Sequence, residues 1–591
     1  MKYKTISDMF YDVVDNNSKK EFLFHKVNNV WNSLDGSKVK EIVESLSRGL
    51  LASNLTHGDK VSILSTTSYK WALCDYSIIC SGMTTVTIYP TLIEDQIKFI
   101  INNSDSKIIF VEDMHQYERV LSVKNECPKL EKIILMNFDN SLTDNLNLTK
   151  FIQLGKKNNI DLLNIRKNIS ENDLVTLIYT SGTTGVPKGV MLTHKNLLSN
   201  IEAVSKIQKD IKNEKFLSFL PISHILERMA GHFYPMYIKS QIYYAESMET
   251  VGLNMAEVSP SVVICVPRFF EKMHAKIIEQ VNKSSNLRKK IFNWSLQVGK
   301  DYMNLKLANH KINFLLNLKY KFSEILVYKK IRAKLGGNIK FFISGGAPLS
   351  RSIAEFFSGI GITILEGYGL TETSPVLTSN TPEMLRFGTV GKSLNNVKIK
   401  IAQDGEILAR GPNIMLGYYQ NEKATNEVID SDCWFHTGDI GEIDNDGFLK
   451  ITDRKKSLIV TSAGKNIAPA PLENALLTSK YIDQVIVVGD KRNFISALIV
   501  PSYDVINANR LELNKDSLSN EAIIDHPEVV ALIELEIQTK MKKYSKFETI
   551  KKFKLLSQPF AIERGEMTPK MSIVRKKVES NYSDIIDNIY N

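Results

Sequence analysis

A chain of 591 residues is too long for one hydrophobic core and predicts at least two domains. Its 43% hydrophobic and 24% charged residues are ordinary for a soluble globular protein. The net charge of +10, from 75 basic and 65 acidic residues, suits anionic ligands or an anionic membrane surface and is no signature of a nucleic-acid binder. Five scattered cysteines, Cys74, Cys80, Cys127, Cys265 and Cys433, form no CxxC pair and no metal cluster with neighbouring histidines. They predict reduced, cytoplasmic thiols. The first eight residues lack the apolar core of a signal peptide, and no run approaches the ~18 apolar residues that span a bilayer.

In chain order, residues 39–51 are amphipathic at helical spacing. Gly58-Asp59 then precedes a strand-like run at 60–65. Residues 71–81 predict a second helix, 85–90 a strand, and 108–111 and 133–136 further short buried strands. Such alternation predicts α/β layers with parallel sheets. Leu174-Val175-Thr176-Leu177-Ile178 reads as a buried strand feeding Tyr179-Thr180-Ser181-Gly182-Thr183-Thr184-Gly185-Val186-Pro187-Lys188-Gly189. Glycines turn backbone N–H groups inward, hydroxyls add donors and Lys188 adds charge, a set suited to a polyphosphate. It is not a Walker A loop, which needs Gly before the lysine and Ser or Thr after it; Pro187 and Gly189 stand there instead.

The stretch resembles the phosphate loop of the AMP-forming adenylating superfamily, which holds acyl-CoA synthetases, firefly luciferase and the adenylation domains of peptide synthetases. Within it, Thr180, Ser181, Gly182, Thr183, Gly185 and Gly189 match nucleotide-binding positions, and Thr184 and Lys188 catalytic ones. Past a helix opened by His194-Lys195-Asn196, Pro221-Ile222-Ser223-His224-Ile225-Leu226-Glu227-Arg228 resembles a motif of the long-chain fatty acyl branch. That resemblance implies a place for His224 near the acyl-adenylate carbonyl. Tyr244-Ala245-Glu246-Ser247 and the run from Val266 to Lys272 match the same branch.

Residues 283–334 form a basic, helical segment. Its cations include Lys283, Arg288, Lys289, Lys290, Lys300, Lys319, Lys321, Lys329, Lys330, Arg332 and Lys334, against Asp301 and Glu324 alone. Ile291, Phe292, Trp294, Leu296, Leu315, Leu316, Ile325 and Leu326 lie between them. Two readings stand: a hairpin packed on the core with a solvated basic face, or a helix lying apolar face down on an anionic membrane.

Ser344-Gly345-Gly346-Ala347-Pro348-Leu349 follows a strand-like run at 339–343, and glycines there let backbone approach a flat ligand. Next come Leu365-Glu366-Gly367-Tyr368-Gly369-Leu370-Thr371-Glu372 and, later, Thr437-Gly438-Asp439. Tyr368 can lay its ring on a base, Thr371 can donate to an oxyanion, and Glu372 is a hard oxygen ligand for Mg2+. The resemblance assigns those roles in the same terms. It adds Gly346, Ala347, Glu366, Gly367 and Gly369 to the nucleotide site, Asp439 to the ribose hydroxyls and Arg454 to the nucleotide. Lys456 becomes a hinge, and Gly464 and Lys465 mark the pantetheine and post-rotation region. Asp444, Asp446 and Gly447 read as a turn, since the other ligands of a calcium loop are missing.

The resemblance spans roughly residues 30–580 with at least six motifs in family order. It implies a long-chain fatty acid–CoA ligase of bacterial type. The implied fold is α/β: a multi-layer domain of parallel sheets with a distorted barrel over 1–453, and a small mobile α+β domain over 454–591. ATP, Mg2+, coenzyme A and a fatty acid are the implied ligands, with no nucleic acid and no transmembrane segment. The place of work is the cytoplasm, with peripheral contact at the inner membrane face. A carrier-protein ligase and a degenerate acyl or acyl-AMP binder are the alternatives. The last rests on a departure: long-chain members carry Thr-Pro-x-x-Lys-x-x-Arg near the end, and Thr568-Pro569-Lys570-Met571-Ser572 puts Ser572 where the lysine belongs. Losing a preorganised cation costs on the order of 10²–10³ in rate.

Overall fold

The computed structural model describes residues 1–138, 146–180, 187–208, 211, 213–308, 310–455, 457–462, 465–508, 519–542, 544–568 and 573–590. The short β-branched runs of the first two hundred residues become neighbours in one sheet. Its order is Gly417–Tyr418, Lys188–Thr193, Leu174–Thr180, Thr84–Ile88, Lys60–Leu64, Ser106–Val111 and Lys132–Leu135. From Leu174–Thr180 onward the strands run parallel. All of Thr84–Ile88 is buried, as a parallel strand covered on both faces must be. One cover is the helix Tyr69–Cys80. Ser68 caps it by accepting from the Trp71 N–H, and it is buried from Trp71 to Cys80. A helix enclosed on all sides cannot afford an unpaired charge, so its one acid, Asp75, needs a partner.

A second sheet has nine strands, in the order Lys392–Ser393, Val376–Ser379, Ile364–Gly369, Phe341–Ser344, Val262–Cys265, Lys215–Ser218, Gln241–Tyr244, Glu21–Val27 and Val30–Asp35. From Ile364–Gly369 to Glu21–Val27 it is parallel. Ligands of open α/β sheets sit beyond the carboxyl ends of such strands. Phe341–Ser344 ends there in Gly345-Gly346, and Ile364–Gly369 ends in Tyr368-Gly369. Where a distorted barrel is expected stands a four-stranded antiparallel sheet, Lys398–Ile401, Glu406–Arg410, Phe435–Ile443 and Leu449–Arg454. Its end strands do not pair with each other. Arg386 pairs with both Asp444 and Asp446, so that turn is held by a cation of the chain itself.

Beyond residue 454 the chain builds separate cores. Apolar clusters made of residues 459–590 share no member with those made of residues 3–451. The later part is α+β: strands Ile482–Val488, Ser496–Pro501 and Lys552–Leu555, with the helices Pro469–Leu476, Pro527–Met541 and Arg575–Asn581. An Arg268–Asp483 ion pair joins the two parts.

The basic segment forms a hairpin. Helix Asn286–Leu307 is followed by Phe314–Ser323, which continues through Glu324–Tyr328 into Lys329–Ala333. Its inner face packs on the helix Arg351–Gly359. A Cβ at Gly299 would lie 2.0 Å from the Gly359 carbonyl oxygen, so only glycine allows this approach. Tyr328 donates to the Ser295 carbonyl, and Phe292 is buried. The interleaved apolar residues therefore divide: Phe292 faces the core, while Trp294, Leu315, Ile325 and Leu326 are exposed. Among the described residues no helix is long and apolar enough to cross a membrane.

Candidate active site

The glycine-rich loop joins two antiparallel strands, so it is strand–loop–strand, where a Walker A loop leads into a helix. Thr180 pairs across the ladder with Lys188, and Tyr179 with Gly189, which fixes both ends of the loop. Ser181, Gly182, Thr183, Thr184 and Gly185 lie outside the described residues. Gly189 serves packing: a Cβ there would meet the Tyr179 ring at 3.1 Å, and Tyr179 donates to Asn103 at 2.6 Å.

A segment that sequence reasoning missed lies against this hairpin. Tyr419 N–H donates to the Gly189 carbonyl at 2.7 Å, and Met415 N–H to that of Glu372 at 2.9 Å. Between them, the Tyr418 hydroxyl donates to Glu372 Oε1 at 2.8 Å, and its ring lies 5.0 Å from Lys188 Nζ. One side chain thus touches both the cation of the loop and the expected metal ligand. Burial and the neighbouring Glu372 keep the Tyr418 phenol protonated.

Opposite stand the glycine-flanked motifs. Gly346 has φ +82°, and a Cβ there would meet nothing within 4 Å, so backbone faces open space. At Gly369 a Cβ would lie 1.7 Å from the Pro375 carbonyl oxygen, which brings that turn tight beneath Tyr368. The Tyr368 hydroxyl donates to Asp439 Oδ2 at 2.7 Å. Arg454 Nε lies 3.2 Å from Asp439 Oδ1, its partner across the ladder. Burial raises Asp439, against the pull of Arg454 and Tyr368. Glu366 is pushed by burial up to about 8 and is therefore a neutral acid at neutral pH.

His224 begins a single helical turn, and its Nδ1 accepts from the Leu226 N–H at 3.2 Å. Leu226 reaches across to Gly345, where a Cβ would meet it at 3.3 Å. The acid and base that follow are anchors. Glu227 is buried, accepts from the Ser218 hydroxyl at 2.6 Å and is raised to about 8 by burial. Arg228, fully buried, donates from Nε to Asp75 Oδ2 at 3.0 Å, from a second nitrogen to Oδ1, and from Nη1 to Thr176 Oγ1 at 2.6 Å. Asp75 also accepts from Thr85 at 2.7 Å. The pair therefore ties the His224 turn to the strand that feeds the loop.

These pieces meet in one cleft of about 2990 Å³. Thr180, Lys188, His224, Gly346, Ala347, Glu366, Gly367, Tyr368, Gly369, Thr371, Glu372, Asp439 and Arg454 all line it, joined from the later part by Pro469, Glu473 and Arg575. An ordinary small-molecule pocket is about 300–1,000 Å³, so the cleft has room for several substrates. Lys465 lies off the lining, its Nζ 5.8 Å from the Phe547 ring. Lys456, Gly464 and Ser572 lie outside the described residues. Among the described residues no group of three or more His, Cys, Asp or Glu could cage a metal. A single carboxylate beside a phosphate-suited loop fits Mg2+, which takes most of its ligands from phosphates and water.

The fold is that of the adenylate-forming enzymes, with a large α/β part of parallel sheets and a smaller C-terminal part. The chain belongs to the AMP-binding enzyme family: that family's model matches residues 10–419, and the model of the AMP-binding enzyme C-terminal domain matches residues 456–591. It is 34% identical over 569 residues to the long-chain-fatty-acid–CoA ligase FadD15 of Mycobacterium tuberculosis, covering 96% of this chain and 93% of that protein. To the human long-chain-fatty-acid–CoA ligase ACSBG2 it is 31% identical over 618 residues, covering 99% and 92%. Among solved structures, the adenylation domain of a carboxylate reductase from Mycobacterium chelonae matches with TM-score 0.79 at 19% identity, covering 99% and 91%. The anthranilate CoA ligase AuaEII in complex with anthranoyl-AMP matches with TM-score 0.73 at 15% identity, covering 98% and 97%. Those two likenesses speak for the fold alone.

Proposed function

We propose that this chain is a long-chain fatty acid–CoA ligase, which forms acyl-AMP from ATP and a fatty acid and passes the acyl group to coenzyme A. The observation that carries the reading is the convergence of Lys188, His224, Tyr368, Thr371, Glu372 and Asp439 on one cleft, from segments far apart in sequence. The relatives named above supply the substrate class.

In the first step a fatty carboxylate oxygen attacks the α-phosphorus of ATP and pyrophosphate leaves. Lys188 and the loop neutralise the departing charge, and Thr371 donates to an α-phosphate oxygen. Tyr368 packs against adenine and holds Asp439 toward the ribose hydroxyls. Glu372 would hold Mg2+, which when bound would spread the charge of the phosphates. In the second step the coenzyme A thiolate attacks the acyl carbonyl beside His224. A C–S bond forms, the C–O bond to phosphate breaks and AMP leaves. The unit 454–591 turns about Lys456 between the steps, a movement consistent with its separate cores.

Ser572 favours a second reading, a protein that binds acyl-AMP without turning over. Pyrophosphate release with fatty acids of increasing length, followed by thioester formation with coenzyme A or carrier protein, separates the readings. Release that depends on a long-chain acid supports the ligase. Tight acyl-AMP binding with no release supports the binder.

A further inference from the structure

The helix from Phe314 onward leaves a row of large apolar side chains in solvent. Phe314 is 83% exposed and Ile325 66%, and Leu315, Leu318, Phe322 and Leu326 are exposed with them. At about 100° per residue these positions fall on one face. The row is not a badly packed inner face. Ser323, Val327 and Tyr328 on the other side are buried, and Tyr320 stacks on Tyr302 with ring centres 4.0 Å apart. A monomer rarely exposes so contiguous an apolar set without a partner for it.

Charge names the partner. Residues 283–334 hold thirteen Lys and Arg against two acids, a surplus larger than the +10 of the whole chain. The rest of the protein is therefore close to neutral, and its excess positive charge is gathered where the apolar row is exposed. Lys319 and Lys321 flank the row, and Lys311 and Lys329 stand at its ends, all exposed. Long lysine stems can lie along an apolar surface while their ammonium groups reach outward. Pairing with a second copy would bring two such basic faces together, at an electrostatic cost.

We infer that this face of the hairpin is a docking surface for an anionic lipid bilayer, with the six apolar side chains entering the acyl boundary and the lysines meeting the headgroups. The inference deepens the ligase reading, since it gives the fatty acid a source. Its test does not depend on catalysis. The helix Arg351–Gly359, on which the first helix of the hairpin packs, also lines the cleft through Arg351, Ser352 and Glu355, so the hairpin is seated on a wall of the cleft.

The test is flotation of the full chain with phosphatidylcholine vesicles, with and without about one-third phosphatidylglycerol. The chain is expected to float with the anionic vesicles at low salt, to be released by high salt and to ignore the neutral ones. A variant with Phe314→Ser, Leu318→Ser, Phe322→Ser and Ile325→Ser is expected to bind about a hundredfold more weakly. Because these side chains are exposed, its unfolding temperature and its pyrophosphate release on a soluble short-chain acid should be unchanged. A single Leu318→Glu change should act in the same direction and guards against a folding failure. Absence of flotation at low salt overturns the inference, as does flotation that survives both variants. A dimer in solution that the variants dissolve, with no lipid binding, would assign the face to a second copy and also overturn it. Any of these results with long-chain-dependent pyrophosphate release intact leaves the ligase reading standing.

Discussion

Replacing Arg228 with Met should cost about 3–5 kcal/mol of folding stability, because it strands a carboxylate in the core. The change removes two bonds from the guanidinium to Asp75 and one to Thr176. Asp75 keeps the Thr85 hydroxyl at 2.7 Å and the His232 ring at 3.6 Å, in a site with no solvent exposure. Domains are stable by about 5–15 kcal/mol, so a loss of this size is plain in a denaturant titration. The pH dependence gives a second, signed readout. Burial alone would raise Asp75, but the Arg228 guanidinium and His232 hold it below its ordinary value. In the wild type its contribution is thus present above the unfolded value, about 3.9, and is lost as pH falls through the folded one. Without the guanidinium burial wins and the order reverses. The variant should then gain stability as pH falls toward the unfolded value, about 3.9. Adding Asp75→Leu, which removes both charges, should recover most of the loss and abolish the pH dependence. The backbone bond from the Arg228 N–H to the His224 carbonyl survives the substitution, but the guanidinium bonds that tie that turn to Asp75 and Thr176 do not, so the single variant should also lose activity. A loss below about 1 kcal/mol, or no gain on acidification, would refute the reasoning.

The Tyr418→Phe variant should raise the Mg2+ concentration for half-maximal pyrophosphate release by about tenfold, since Glu372 loses the hydroxyl that orients it. An unchanged Mg2+ titration would show that this bond plays no part. For Glu366, raised to about 8 in the folded chain, stability is full below the unfolded value and is lost as pH rises toward the folded one. Glu366→Gln should therefore raise the denaturation midpoint near pH 8.5 and flatten its pH dependence. A Ser572→Lys change should speed adenylation on the order of 10²–10³-fold while leaving thioester formation from supplied acyl-AMP unchanged, as separate half-reaction assays would show.

Much of this site is legible because its parts are local. Strand propensity marks 174–178, and glycine spacing marks the turns at Gly346 and Gly369, where Gly346 has φ +82° and Gly369 meets a backbone carbonyl. Partners distant in sequence are not legible. Tyr418 reaches Glu372 across 46 positions and Arg228 reaches Asp75 across 153, and neither residue type says which group it will meet. The hairpin shows the same limit in another form. Basic composition does not say which apolar residues pack and which stay outside, and the structure divides them: Phe292 turned inward, Phe314 and Ile325 outward. Gly189 matches its motif yet packs on Tyr179, because a glycine in a phosphate loop and a glycine under an aromatic ring look alike in sequence.

The central claim is that the cleft joins ATP to a fatty acid. Pyrophosphate released from ATP, Mg2+ and palmitate measures this most directly. The account predicts release that requires the fatty acid and falls at least about a hundredfold in Lys188→Ala. Release no greater than background, from a chain that nonetheless binds acyl-AMP tightly, would contradict it.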